Sequence, residues 1–509
     1  MDTKAIILKN SIVGLCSQII ALMVQFVMRI FLLQYVGIEI IGINSTFLSV
    51  LKTLSLTELG FQTAVVYYLY NPLCKHDTYK INQILKILKR VYEIVSIVFV
   101  ILTLASIPLL KYILKDVIVT REIISYYILM SLNIAFSYLF AYKRALLLAD
   151  QKDYVSKIID SVFNIAICLL NISVLIKFKS YMATLVLQLL QTVASNIFVH
   201  IFCKRKYAYL IDCQFDYALF KTILADVKSV FMAKLAGFVY FATDNLIISS
   251  FLGTIYVGFL SNYVILVTAI KQIVNAIFNT MTSVIGNMLL GNSSIKQKEA
   301  WFNVYSYVRY ILASAIVGPW VLLADDIVKI LFGEQYILSD STVILLSIDL
   351  YIHIVYSVCC EYINGSGCFA EDKYISIIGA VINIIASLCM VFSMGVEGVL
   401  TGTVISQIFF WTGRSVVVYF KIFKLKWQEY KGYVGKNIIW IVCLLCTMII
   451  MFWVQKKVNT SNAYLNIIII FGLCQGFFFL IQFLFLRKTD EWIALWKCIT
   501  NVNFHNRTS

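Results

Sequence analysis

The sequence predicts an all-α polytopic membrane protein with fourteen transmembrane helices. Its 509 residues are 61% hydrophobic, whereas an ordinary soluble domain is about 45–50% apolar. Apolar runs of about 20 residues, the length that a spanning helix needs, recur from one end of the chain to the other. The chain also matches itself at a nearly constant offset, which predicts a duplicated architecture.

Each predicted span is an apolar run bounded by charged or turn-forming residues. The first run, Ile12 to Leu33, is too long for a signal-peptide core and no small-residue cleavage site follows it, so we expect it to be retained. The spans have the approximate limits 10–35, 40–70, 91–113, 123–146, 155–176, 180–202, 228–252, 256–290, 302–324, 341–364, 374–394, 398–420, 437–455 and 463–486.

The distribution of basic residues predicts the orientation. Of the 42 Lys and Arg residues, 28 lie in loops on the side of the two termini and 8 on the opposite side. Because basic loops stay in the cytoplasm, both termini are expected there, and the net charge of +15 needs no nucleic-acid partner. The segment Tyr79–Arg90 has one apolar and one basic face. It is either a helix lying on anionic lipid or an extension of the next span.

An internal repeat relates the two halves of the chain. Gly37 and Gly42 match Gly253 and Gly258 at an offset of 216 residues. Two later pairs of segments match at offsets of 220 and 219, namely 153–156 with 373–376 and 158–165 with 377–384. Because six spans are an even number, the copies are parallel, as in transporters that hold substrate between two lobes.

The expected organisation is two lobes of six spans followed by two additional helices. The N-terminal lobe covers residues 1–222 and the C-terminal lobe covers residues 223–422. Residues 423–509 contain spans 13 and 14 and a cytoplasmic tail.

The remaining six of the 42 basic residues are counted as intramembrane, where a lipid-facing charge costs about 2.5–3.5 kcal/mol. Four come from the first two spans of each half, namely Arg29, Lys52, Lys234 and Lys271. Their matched placement predicts a wet, positive cavity between the lobes and a negatively charged substrate. The other two, Arg309 and Arg414, are expected near span ends, where arginine can reach the headgroups.

Polar side chains share helix faces with these bases. Span 1 adds Gln25, span 7 adds Asn245 and span 8 adds Asn275. Such faces are too polar for lipid, so we expect the three side chains to line the substrate cavity. The alternative is that they form buried hydrogen bonds that hold the helices together.

Four acids are also counted as intramembrane, namely Glu58, Asp244, Asp349 and Glu361. An isolated carboxyl group in this position can carry a proton, whereas a paired one stays ionised; Glu58 has a candidate partner in Lys52. Asp349 and His353 are four residues apart on one helix face. Glu58, Asp244, Asp349 and His353 are therefore candidates for ion coupling, with a structural Asp349–His353 pair as the alternative.

Enzyme chemistry has little support in the sequence. The thirteen cysteines, including Cys443 and Cys446, are scattered through apolar spans, and the four histidines do not cluster. The chain also lacks a phosphate-binding loop of the ATPase type. We therefore predict no catalytic residue, no metal site and no cofactor.

Several local patterns accompany the plan of six, six and two spans. They are Tyr35–Gly42, Leu56–Phe61, Thr243–Ser249 with Phe251–Gly253, Leu331–Tyr336 and Gly395–Gly398. With these patterns the chain resembles, over essentially its whole length, the polysaccharide flippases of the MATE-like exporter superfamily, which transport O-antigen and capsule repeat units.

The resemblance implies a MATE-like two-lobe fold and a substrate of undecaprenyl diphosphate carrying an oligosaccharide. It implies movement from the inner to the outer leaflet of the bacterial inner membrane by alternating access, driven by H+ or Na+. Membrane lipids and polysaccharide polymerase machinery are the implied partners. The predicted bases agree with this substrate, because Arg and Lys bind phosphate through charge-assisted hydrogen bonds.

Three other functions compete with this one. A multidrug or metabolite exporter of the same fold would favour acids in the cavity if its substrates were cations. A membrane glycan polymerase or ligase would need a large external loop, and the longest one here is about 16 residues, near Ala324–Asp340. A purely structural membrane protein is disfavoured by the six intramembrane bases.

Overall fold

The chain is helical almost throughout in its computed structural model. No strand occurs among the described residues, which are 3–55, 61–209, 213–224, 243–278, 281–291, 294–457 and 463–505. Internal contacts divide the chain into two compact units, Met1–Ser261 (unit 1) and Asn262–Ser509 (unit 2). The lobe limits at 222 and 422 come from the sequence repeat and stay predictions.

Unit 1 consists of long helices joined by short connections. Its helices are α1 (Thr3–Tyr35), α2 (Ile38–Leu54), α3 (Phe61–Cys74), α4 (Thr78–Ser106), α5 (Leu110–Ile113), α6 (Arg121–Leu139), α7 (Ala141–Ala149), α8 (Asp153–Phe178) and α9 (Tyr181–Lys206). Residues 217–224 and 243–251 are also helical. The limit between the units falls inside the next helix, α10 (Thr254–Phe278).

Unit 2 has the same construction. Its further helices are α11 (Met281–Leu290), α12 (Ile295–Leu331), α13 (Asp340–Ser366), α14 (Phe369–Met394), α15 (Val396–Val416), α16 (Trp427–Gln455), α17 (Ala463–Leu486) and α18 (Asp490–His505). A single π-helical turn, Val417–Ile422, extends α15. The last helix, α18, packs on α12 and lies in the segment predicted to be a tail.

Eleven helices among the described residues are long and apolar enough to cross a membrane. The predicted second span includes residues 56–60 and the predicted seventh span includes residues 228–242, which lie outside the described part of the chain. The predicted twelfth span coincides with α15, whose Thr, Ser and Gln residues lower its hydropathy. The chain is thus a multi-pass membrane protein, and the total of fourteen spans stays a prediction.

The repeated glycines end two helices with the same backbone geometry. Gly37 and Gly253 have φ angles of 97° and 128°, a region that glycine adopts without the penalty of a side chain. The amide of Gly37 donates to the Leu32 carbonyl at 3.1 Å, and the amide of Gly253 donates to the Ile248 carbonyl at 3.0 Å. Each bond joins an amide to the carbonyl five residues earlier and so closes the last turn of its helix.

Among the described residues, a carboxylate caps the helix that follows the second of these two turns. Asp116 accepts hydrogen bonds from the amide and hydroxyl of Thr254 at 2.7 and 2.9 Å, and from the amide of Ile255 at 3.3 Å. Partial burial alone would raise the pKa of Asp116, but these hydrogen bonds outweigh it and hold the pKa below its usual value. Asp116 therefore satisfies the first amides of α10.

The amphipathic segment Tyr79–Arg90 is the first part of α4. Asp77 caps this helix by accepting a hydrogen bond from the Lys80 amide at 3.0 Å, and the helix runs without interruption to Ser106. Its apolar side chains, including Ile84 and Leu88, are buried in the core of unit 1. Of the two alternatives, the structure thus supports the extension of the next span, because the apolar face contacts protein.

The predicted fourth span, 123–146, is interrupted in the structure. Helix α6 ends at Leu139, Phe140 has φ −112° and ψ 0°, and α7 begins at Ala141. Inside a membrane, such an interruption is tolerated where the freed backbone lies in protein or beside water.

Candidate functional site

Arg29 is buried in the apolar helix α1, with 8% of its surface exposed. Its Nη2 donates to the carbonyl of Gly258 at 3.3 Å and to the hydroxyl of Ser261. Both acceptors lie in the first two turns of α10. Because a buried guanidinium group must be paired or hydrogen-bonded, Arg29 fastens α1 to the start of α10 in this conformation.

Two repeated glycines allow α2 and α10 to approach closely. A Cβ atom on Gly258 would lie 2.7 Å from the carbonyl oxygen of Ile38, and one on Gly42 would overlap the carbonyl of Thr254. Neither position can accept a side chain without movement of the backbone. The crossing places Gly258 and Ser261 within reach of Arg29.

Asn245 is half-buried and donates to the hydroxyl of Ser49 on α2 at 3.0 Å. Asp244, its neighbour, is also half-buried. This bond agrees with the alternative stated above for Asn245, in which the polar side chain forms a hydrogen bond that holds two helices together.

Three other predicted cavity residues have exposed side chains. They are Gln25 on α1, Lys52 on α2 and Asn275 on α10. An ammonium group on an apolar helix is costly in lipid, so the exposed Lys52 must face water or headgroups.

Lys271 and Asp349 form an ion pair in unit 2. The Nζ atom of Lys271, on α10, lies 2.5 Å from Oδ2 of Asp349, on α13. Gln407, on α15, donates to the other carboxylate oxygen. Lys271, predicted to bind substrate, is thus paired with Asp349, predicted to couple an ion. The negative charge of Asp349 balances the positive charge of Lys271.

His353 lies one turn after Asp349 on α13 and packs edge-on against Tyr356, with ring centroids 5.9 Å apart. Its Nε2 atom is buried and has no hydrogen-bond partner within the described residues. The carboxylate of Asp349 is bound to Lys271 and Gln407.

Arg309 is buried in an ion pair, so the expectation that it reaches the headgroups is wrong. Arg414 is half-buried in the last turn of α15, so its place near a span end agrees with the expectation, and its contact with headgroups stays a prediction. Arg309 is 1% exposed; it pairs with Glu361 and its guanidinium carbon lies 3.7 Å from the centroid of Phe278. Arg414 pairs with Asp372 at 2.6 Å. Because Arg309 has a carboxylate on an adjacent helix, it does not need to extend towards water.

The remaining two predicted residues, Lys234 and Glu58, lie outside the described residues. The candidate pairing of Glu58 with Lys52 therefore stays a prediction, and so does the place of Lys234 beside the other bases.

Unit 1 also contains a polar pocket that the sequence patterns did not single out. The cavity measures about 410 Å³ and is bounded by α6, α7, α8 and α9. At its wall, Arg144 donates to both carboxylate oxygens of Asp160, at 2.7 and 2.9 Å. Asp160 lies inside the fifth predicted span, yet it is not among the four acids counted there. Its presence in an apolar run, one turn before Asn164, is the signal that could have identified the pocket.

Comparison with known proteins completes the description. A family model described as "Polysaccharide biosynthesis protein" matches residues 7–284, more than half of the chain. The chain belongs to this family. A search of curated proteins finds no match.

Solved structures show which fold this family member has. A structure of the lipid II flippase MurJ in an inward closed conformation aligns with a TM-score of 0.68 and 15% identity, covering 94% of this chain and 99% of that one. An inward-facing multidrug resistance MATE family transporter of the MOP superfamily aligns with a TM-score of 0.63 and 14% identity, covering 79% and 97%. The eukaryotic MATE transporter AtDTX14 gives 0.52 and 15%, covering 86% and 97%.

These likenesses confirm the predicted MATE-like fold. At such low identity they carry fold information alone. Together with the family, they make the chain a membrane protein of polysaccharide biosynthesis that has the fold of flippases and transporters.

Proposed function

We propose that the chain moves undecaprenyl-diphosphate-linked polysaccharide repeat units from the inner to the outer leaflet of a bacterial inner membrane. It does so by alternating access, with both termini in the cytoplasm and a H+ or Na+ gradient as driving force. Family membership supports the pathway. The likeness to a lipid II flippase supports a substrate that is a lipid carrying a sugar.

The observation that carries the proposal is the exposed Lys52 on α2, a membrane-embedded helix in the sequence prediction. A diphosphate is strongly anionic, and an ammonium group that faces water within the protein can bind it through a charge-assisted hydrogen bond. The buried Arg29 on α1 adds a second positive charge to the same unit. Lys271 is a weaker candidate, because Asp349 already balances its charge.

Ion coupling is assigned to Asp349 and His353, with Asp244 and Glu58 as further candidates. Asp349 holds Lys271, and His353 lies one turn away on α13 with a buried nitrogen atom. A coupling ion that binds the Asp349 carboxylate would compete with Lys271 for it, and the displaced Lys271 would then be free to contact the substrate.

The test measures transport of a labelled undecaprenyl-diphosphate oligosaccharide between the leaflets of liposomes that contain the purified protein. Lys52→Gln should reduce transport about tenfold or more, since a hydrogen bond to a charged group contributes about 1.5–3 kcal/mol. The matched control is Lys177→Gln, which removes an exposed lysine in the last turn of α8 and should leave transport unchanged.

Two outcomes would reject the proposal. If the wild-type protein does not transport the lipid-linked glycan, the proposed function is wrong. If the same liposomes export cationic dyes, the protein is instead a multidrug exporter. If the Lys52→Gln variant transports the glycan at the wild-type rate, only the assignment of Lys52 to substrate binding is wrong.

A further inference from the structure

The polar pocket of unit 1 has a composition that selects for an uncharged ligand. Arg144 and Asp160 neutralise each other through two hydrogen bonds, yet 25% and 39% of their side-chain surfaces remain exposed. Asn164 and Gln191 add neutral amide groups to the lining. The lining therefore has no excess of positive or negative charge for an ionic ligand, but it offers hydrogen-bond donors and acceptors close together. Hydroxyl groups both donate and accept, so a polyhydroxylated ring matches this lining.

The lining is also held rigidly before any ligand arrives. The Nε atom of Arg144 donates to Asn196 at 3.0 Å, and its Nη2 donates to Ser195 at 3.3 Å as well as to Asp160. Across the pocket, Gln191 donates to Asn164. Fixed side chains lose little conformational entropy on binding, which favours affinity for a ligand of matching shape.

The interruption between α6 and α7 borders the pocket. Ser137 and Tyr138 precede Phe140, Ala141 and Arg144 follow it, and the four flanking residues line the cavity. The apolar span Arg121–Leu139 ends just before this break. The break therefore places the pocket at the end of the span, where the chain turns from α6 into α7.

The geometry points to this pocket as a subsite for an uncharged sugar of the transported glycan. The inference rests on the proposed function and adds a division of labour to it: Lys52 contacts the diphosphate, while Arg144, Asp160, Asn164 and Gln191 contact sugar hydroxyls. The volume of about 410 Å³ is in the range of sites for small molecules. Arg144 follows the span on the side predicted to be cytoplasmic, which is the side from which a glycan assembled in the cytoplasm would enter.

The test compares binding of two lipids to the full-length protein in nanodiscs. One is lipid-linked oligosaccharide extracted from the cells that produce this chain, and the other is undecaprenyl diphosphate without sugar. The wild type should bind the first about tenfold more tightly than the second, as expected for a few hydrogen bonds to a charged pair. The double variant Asn164→Leu/Gln191→Leu removes both partners of one hydrogen bond, so it leaves neither amide unpaired.

The double variant should lose the preference for the glycan and keep the affinity for undecaprenyl diphosphate. Gln34→Leu, which removes an exposed amide near the end of α1, is the matched control and should keep both. An unchanged preference in the double variant, with a normal unfolding temperature, overturns the assignment.

A third measurement separates this inference from the proposed function. If the wild type binds neither lipid, the proposed function fails, and the oligosaccharide released from the extract by mild acid becomes the probe. Binding of the free oligosaccharide by the wild type and its loss in the double variant would support the sugar subsite alone. No binding of the free oligosaccharide would overturn the subsite as well.

Discussion

Helices α8 and α14, which the sequence repeat aligns, have opposite surroundings. In unit 1, Asp160 and Asn164 on α8 face the polar pocket. In unit 2, the aligned residues on α14 are Gly379 and Asn383; a Cβ on Gly379 would overlap the ring of Phe410, and Asn383 is fully buried and donates to Thr403 at 3.0 Å. The same helix can thus line a wet pocket in one copy and a dry core in the other.

The two copies of the repeat therefore share backbone conformation more than they share polar side chains. The turns at Gly37 and Gly253 keep the same hydrogen bonds, whereas the polar groups have diverged. In unit 1 an ion pair is partly open to water, and in unit 2 the pair of Arg309 and Glu361 is closed within the core.

The largest expected effect contrasts these two ion pairs. Glu361→Gln should lower the free energy of unfolding by about 3–5 kcal/mol, because it leaves Arg309 buried without its counter-charge. Asp160→Asn should cost about 1 kcal/mol or less, since water reaches the Arg144 side chain. Denaturant unfolding in detergent micelles measures both. Equal losses would show that the two environments are equally dry.

A smaller effect is expected from filling the space at Gly379. Gly379→Ala should cost about 1–3 kcal/mol through overpacking against Phe410. Adding Phe410→Leu should recover part of this loss, which a double-mutant cycle would detect. Gly472→Ala is the control, because nothing lies within 4 Å of a Cβ there and no loss is expected. If Gly379→Ala and the control lose the same free energy of unfolding, α14 is not tightly packed against Phe410.

The smallest expected effect distinguishes the two repeated turns. Asp116 caps the helix after Gly253, whereas a Cβ on Gly37 would meet nothing within 4 Å. Asp116→Asn should cost about 0.5–1 kcal/mol at pH 7, the lower range for an exposed cap.

The pH dependence of this loss follows from the lowered pKa of Asp116. A carboxyl group whose pKa is lower in the folded state contributes stability that is present above its unfolded pKa of about 3.9 and is lost as the pH falls through the folded value. The difference between wild type and Asp116→Asn should therefore be constant above about pH 5 and shrink below about pH 4. A difference that persists at about pH 2 would exclude an ionic cap.

Most of the fold could be predicted from the sequence, because the length and apolar composition of a segment identify a spanning helix without knowledge of its neighbours. The repeat could also be found, since glycine at a positive φ has few substitutes and leaves a readable spacing. The helix break at Phe140 was not predicted, because neither proline nor glycine marks it.

The candidate site was harder to predict, because its ion pairs join residues that are far apart in the sequence. Lys271 and Asp349 are 78 residues apart, and Arg309 and Glu361 are 52 apart. A helix wheel places a charge on a face but cannot identify what the neighbouring helix presents. For this reason Arg309 was expected near headgroups, although Glu361 was already among the predicted intramembrane acids.

The length of α12 has a consequence for the surrounding bilayer. Its 37 residues span about 55 Å at 1.5 Å per residue, whereas the hydrocarbon layer is about 30 Å thick. Even a steep tilt leaves several turns beyond the lipid tails, and these carry Lys296 and Lys298 near the first turn. The helix is thus long enough for thin and thick membranes alike, so the thickness of the host bilayer should change its tilt more than the stability of the protein.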